Sequence, residues 1–191
     1  MILPIVAYGS PILRKVATDI QADHPGLDTL ISNMWETLYN SSGVGLAAPQ
    51  INHSIRLFLV DTVQIFEMKE EEDASFPDAP GYKGAFINAK IIATEGDHWS
   101  YNEGCLSIPK LRADISRPLQ VKLSFLNEQF QPMEEIFTGL TARVILHEYD
   151  HLEGKLFIDH ITPLKRTLLK GKLEDISKGR IRVDYRMLFH K

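Results

Sequence analysis

The run His147-Glu148-Tyr149-Asp150-His151 limits the possible folds of this chain more than any other feature. On a helix, positions i and i+4 lie on one face, so the two imidazoles can converge on a single cation. Glu148 then stands beside them, close enough to take a proton from water. Leu140 and Val144 continue the same stripe upstream, so the paired histidines extend an apolar face. Such a face points inward, and two buried histidines without a metal would need other hydrogen-bond partners. A helix from about Thr138 or Thr141 to Glu153, stopped by Gly154, must therefore be enclosed by the rest of the chain.

Several segments can enclose it. Leu27, Leu30, Ile31, Met34, Trp35 and Leu38 recur at spacings of three and four, predicting a helix over Asp28 to Tyr39 that ends at Asn40-Ser41-Ser42-Gly43. The following Gly43 to Gln50 is too small and apolar for a solvated loop. Ile55 to Val60 and Phe86 to Ala93 read as strands, and Val121–Leu126 and Glu135–Phe137 flank Asn127-Glu128-Gln129 as a hairpin. Thr162-Pro163 opens a third helix, an N-cap with proline at the first helical position. Ile181 to Phe189 alternates as a closing strand. The stretch from about 67 to 81, with Glu70 to Asp73 consecutive, reads as an exposed acidic loop with little bearing on chemistry. The expected class is α+β, mostly antiparallel strands packed around the helix that carries H-E-x-x-H. No repeat or linker divides the chain, so residues 1–191 are expected to form one domain with one sizeable core.

Composition narrows the function. The chain carries 21 Lys and Arg against 25 Asp and Glu, a formal charge of −4. That disfavours direct nucleic-acid binding. The single cysteine excludes an internal disulfide and suits a reducing compartment. The stretch Met1 to Arg14 lacks a basic leader and is broken by Pro4, Gly9 and Pro11, unlike a signal peptide. No apolar run approaches the roughly 18 residues of a membrane span. A cytoplasmic protein without a membrane anchor is expected.

Hydrolytic sites normally have three protein ligands and an open position. A metzincin-like continuation fails, because Phe157 stands where a third histidine would be. Glu174 is the downstream carboxylate candidate, but it lies in the charged stretch Lys172-Leu173-Glu174-Asp175. Cys105 remains. A lone cysteine is more often a small buried hydrophobe, yet beside an incomplete histidine pair a thiolate is a strong ligand for Fe(II) or Zn(II).

Three segments together resemble the peptide deformylases. Gly43 to Gln50 matches G-Φ-G-Φ-A-A-x-Q (Φ apolar), Glu103 to Ser107 matches E-G-C-Φ-S, and His147 to His151 matches H-E-x-x-H with aspartate before the last histidine. Leu3-Pro4-Ile5-Val6, Leu13-Arg14 and Gly154 to Phe157 are also similar. Three departures stand out: Leu146 replaces a common glutamine, the acidic stretch is longer than in the shortest members, and Ile181 to Phe189 suggests a strand where many members have helix.

The resemblance implies a metal-dependent hydrolase that removes the formyl group from N-terminal formyl-methionine of nascent chains, near the ribosome exit, releasing formate. Cys105, His147 and His151 would hold one divalent metal, Fe(II) natively, with Zn(II), Ni(II) or Co(II) as substitutes. Glu148 would be the general base. The Gln50 side-chain amide and the Leu106 backbone N–H would receive the oxyanion. Val44, Leu140 and Val144 would line the methionine slot, and Arg112 would meet either the peptide backbone or solvent. Gly43 and Gly45 would let backbone approach the substrate closely enough to exclude anything larger than formyl. The rival readings are a zincin-type endopeptidase, disfavoured by Phe157 and Cys105, and a silent binding module, which would have no need of Glu148.

Overall fold

In the computed structural model, which describes residues 1–67, 78 and 80–190, the predicted central helix is the centre of the molecule. In chain order the elements are β1 (Ile5–Val6), α1 (Leu27–Asn40), β2 (Gly45–Ala47), β3 (Leu57–Asp61), α2 (Val63–Glu67), β4 (Lys83–Cys105), β5 (Ile108–Leu126), β6 (Pro132–Thr138), α3 (Gly139–Leu152), α4 (Pro163–Ser177) and β7 (Met187–Leu188). Strands β2 to β6 form one sheet in sequence order, every neighbouring pair antiparallel. The α+β class with a mostly antiparallel sheet holds.

The strand β3 shows why the sheet is sandwiched. Its five residues are all buried. Phe58 and Val60 pack with Ala142, Val144, Ile145 and Leu146 of α3, whereas Leu57 and Leu59 pack with Leu30, Ile31, Met34 and Leu38 of α1. Period-two alternation thus supplies two apolar layers from one uninterrupted run. On the α3 side, Phe86 stacks against Phe58 at 4.7 Å and meets Phe125 at 4.5 Å between ring centroids. All of α3 is buried except Tyr149 and Asp150. Leu146, the departure from the family pattern, belongs to this core at 7% exposure. Burying a leucine is worth about 1.5–3 kcal/mol, so an apolar residue suits that position.

Strands β4 and β5 extend well beyond the segments predicted at 86–93 and 121–126. The middle of β4, Thr94 to His98, is exposed and carries no apolar alternation. Pairing with β5, not burial, holds it there, through four register shifts. The pair ends in a tight turn, Cys105 opposite Ile108, with Leu106-Ser107 at its tip. That turn lies against α3 and so delivers Cys105 to the buried helix.

The closing strand predicted for Ile181 to Phe189 shrinks to Met187–Leu188, paired in parallel with β1. The alternation there reflects a segment lying on the surface with one side turned inward, and only two residues find a strand partner. Of the acidic stretch, residues 68–77 and 79 lie outside the described residues. Asp78 is described, and it is not a bystander. Its carboxylate accepts from the Leu140 N–H at 3.2 Å and the Thr141 N–H at 2.7 Å, two donors in the first turn of α3. Thr138 makes no side-chain cap, so a residue distant in sequence caps the H-E-x-x-H helix.

Candidate active site

Cys105, His147 and His151 form one cluster, and Cys105 and His147 line a groove of about 690 Å³, within the range of small-molecule sites. Their ligand atoms all lie within 4.8 Å of one another, and Cys105 Sγ is 3.3 Å from His151 Nε2. Helix geometry fixes the two histidines one turn apart, ring centroids 5.3 Å apart. The β4–β5 turn brings the thiol. Burial pushes the Cys105 thiol up, but the flanking His151 and His147 outweigh it and bring it down to about 5. One thiolate and two imidazoles, the histidines buried and the cysteine half-buried, are a donor set for Fe(II) or Zn(II). The residues fit a divalent metal. Phe157 is buried core, stacked on His147 at 6.2 Å, and Glu174 pairs with Lys178 on α4.

His147 presents one nitrogen to this cluster because the other is engaged: Nδ1 lies 3.0 Å from Glu103 Oε2. Glu103 in turn accepts from Arg117 (Nε to Oε1, 2.7 Å) and Arg143 (Nη1 to Oε1, 2.9 Å). Arg117 reaches Asp150 Oδ2 at 2.8 Å, and His160 Nε2 meets the same oxygen at 2.8 Å. Arg143 also donates to the carbonyls of Ile115 and Trp99 and lies 4.3 Å over the Trp99 ring. Burial pushes Glu103 up, but hydrogen bonds from His147 and Arg117 hold it well below the usual carboxylate range. A buried, ionised carboxylate fixing the outer nitrogen of a ligand histidine is the usual way such a ring is oriented. Sequence reasoning missed this network. Its signals were an arginine inside an apolar helix one turn before His147, and the acidic residues within two motifs.

Glu148 is 4% exposed, and among the described residues its Oε2 has no hydrogen-bond partner. Burial pushes its carboxyl up to about 7. Gly45 explains how it fits. A Cβ at Gly45 would stand 2.7 Å from Glu148 Cδ and 2.8 Å from Cγ, and closer still to Oε1. Likewise a Cβ at Gly43 would meet the side chains of Leu106 and Leu38 at 2.8 Å. The space that these glycines leave is filled by protein side chains rather than left as a bare wall for substrate.

Gln50 is buried in a short helical turn after β2. Its Oε1 accepts from the Ala47 N–H at 2.8 Å, which turns Nε2 toward Ser107 Oγ (3.3 Å) and Cys105 Sγ (3.4 Å). The groove is lined by every other predicted site residue: Val44, Gly45, Leu106, Leu140, Val144 and Arg112. Arg112 is exposed at the rim and bonds to Asn102 through both the side-chain oxygen (2.8 Å) and the backbone carbonyl. Tyr101, Asp184 and Tyr185 also line the groove and were not foreseen.

Residues 2–167 match the family described as Polypeptide deformylase. A peptide deformylase of Flavobacterium johnsoniae is 50% identical over 189 residues, covering 99% of this chain and 96% of that protein. One from Christiangramia forsetii is 47% identical over the same length. Among solved structures, a peptide deformylase from Legionella pneumophila superposes with TM-score 0.79 at 33% identity, covering 96% of this chain and 99% of that one. That from Thermotoga maritima gives 0.72 at 34% identity, covering 85% and 99%. The chain belongs to the polypeptide deformylase family, and it is a metal-dependent hydrolase that removes the formyl group from N-terminal formyl-methionine of newly made polypeptides.

Proposed function

We propose that Cys105, His147 and His151 hold the metal, natively Fe(II), and that Glu148 carries the proton in deformylation. Zn(II), Ni(II) and Co(II) would substitute in the same donor set. The observation that carries the proposal is Glu148: a buried carboxylate with one oxygen unbonded among the described residues, adjoining the Cys-His-His cluster and packed against the gap at Gly45. When bound, the metal supplies a Lewis acid and makes water a nucleophile near neutral pH. Glu148 takes a proton from that water and passes it to the departing amine nitrogen. Gln50 Nε2 and the Leu106 N–H stabilise the oxyanion. The pinned Oε1 of Gln50 supports its part, and the place of Leu106 next to Cys105 on the groove supports the other.

The methionine side chain lies along Val44, Leu140 and Val144, all three on the groove. Arg112, held by Asn102 at the rim, meets the peptide beyond it. The enzyme works in the cytoplasm on nascent chains close to the ribosome exit, with no direct hold on nucleic acid or membrane. A net charge of −4 favours this, and no described helix is long and apolar enough to cross a membrane.

The test is Glu148→Ala, with formate release from formyl-Met-Ala-Ser and metal content measured on one preparation. Turnover should vanish with the metal retained. Loss of the metal would count against Glu148 as a non-ligand, and near-normal activity would sink the mechanism.

A further inference from the structure

The family match ends at residue 167, and the chain beyond it returns to the active site. After α4 it turns at Gly179, whose φ is +69°, a conformation that favours glycine. The segment that follows is tied at both ends. Near α4, the Arg180 N–H donates to the Asp175 carbonyl at 2.8 Å. At the far end, the Ile5 N–H donates to the Arg186 carbonyl at 2.8 Å and the Ala7 N–H to the Leu188 carbonyl at 2.9 Å, through the β1–β7 pair. Between these ties Val183, Asp184 and Tyr185 line the groove. Residues 180–188 form a strap across its edge.

The strap makes one bond to the catalytic turn: Tyr185 Oη donates to the Leu106 carbonyl at 2.8 Å. The same turn is held by the Tyr8 N–H on the Ser107 carbonyl at 2.8 Å and by Gln50 Nε2 on Ser107 Oγ. Peptide groups are planar, so the backbone at Leu106 moves only through its two soft dihedrals. On one side the chain is held by Cys105, at the end of β4. On the other it is held by what the Leu106 and Ser107 carbonyls bond to. The Leu106 N–H belongs to the peptide plane shared with Cys105 and its carbonyl to the plane shared with Ser107, so anchoring the carbonyl, with Cys105 held in β4, restricts the φ and ψ by which the N–H plane can turn. Donors to an oxyanion are effective when they are already in place as charge develops.

We infer that Tyr185 is a positioning residue for deformylation, holding the Leu106 backbone so that its N–H meets the oxyanion. The inference rests on the reading of that N–H as an oxyanion donor. Losing a neutral hydrogen bond of this kind should lower kcat about three- to tenfold. KM should stay within about twofold, because the donor acts on charge present only in the transition state.

The experiment compares wild type, Tyr185→Phe, Tyr185→Leu and Gln50→Ala as metal-loaded enzymes, measuring kcat and KM for formyl-Met-Ala-Ser with metal content and thermal unfolding. Tyr185→Phe keeps the ring and so the groove wall. It should lose kcat alone, with metal retained. Tyr185→Leu removes the ring too, so it should lose at least as much kcat and raise KM as well. An unchanged kcat in Tyr185→Phe overturns the inference, as does a loss seen only in KM or a loss matched by missing metal. Gln50→Ala separates this from the oxyanion reading itself. A fall of about 10²–10³ there with Tyr185→Phe unaffected removes the strap's role alone, whereas no fall in either removes the oxyanion assignment.

Discussion

Adding one methyl group at Gly45 should cripple the enzyme by displacing Glu148, the proposed base, not by crowding its substrate. The Cβ of Gly45→Ala would lie 2.7 Å from Glu148 Cδ and 2.8 Å from Cγ. Carbon atoms rest about 3.5–4.0 Å apart, so the carboxylate must retreat by roughly 1 Å. It has little room, since α3 is packed against the sheet on that side and Glu148 is 4% exposed. Misplacing a catalytic group by about 1 Å can cost on the order of 10² in rate, and the overpacking should cost about 1–3 kcal/mol of stability. The assay is steady-state formate release from formyl-Met-Ala-Ser and its acetyl counterpart, with metal content and thermal unfolding alongside. A displaced base lowers kcat and leaves KM and the formyl-over-acetyl preference nearly unchanged. A crowded acyl site would instead raise KM and alter that preference. A variant with kcat within twofold of wild type would refute the packing argument altogether.

Three further outcomes follow. Asp78→Ala removes the cap of α3, so stability should fall by about 0.5–2 kcal/mol and Tm by roughly 2–4 °C per kcal/mol; an unchanged melting curve would show that the capping bonds carry no weight. Glu103→Gln leaves Arg117 and Arg143 without their shared anion and His147 without its orienting carboxylate, so metal affinity should drop about 10–100-fold and stability by about 3–5 kcal/mol. Competition with a chelator and denaturant titration measure the two losses, and wild-type values in both would contradict the role given to the network. Apo-protein reconstituted without oxygen should be fastest with Fe(II) and lose that activity in air, since an iron with an open position and a thiolate ligand offers oxygen a route to both; a zinc form equally fast and indifferent to air would refute the choice of iron.

Features that depend on short spacing were legible along the chain. Two histidines four residues apart share a face in any helix, and the apolar stripe through Leu140 and Val144 required that helix to be buried. The run from Ile55 to Val60 declared a buried strand, and within it Leu57 to Val60 turn an apolar face to each side. What the sequence left open was whatever joins distant segments. Cys105 lies 46 residues from His151, and only the pairing of β4 with β5 brings it there. The exposed half of that hairpin carries no hydrophobic period, so its length was not legible. The meaning of Gly45 changed for the same reason: a glycine announces that space is needed, but only packing shows that Glu148 fills it. Asp78 looked like one more solvated acid until the fold set it against the first turn of α3. Tyr185 sits 79 residues from the carbonyl it holds. Local geometry is encoded by neighbours along the chain, whereas contacts between distant segments exist only once the chain is folded, and in this enzyme they decide where Glu148, Cys105 and the backbone of the Leu106-Ser107 turn stand.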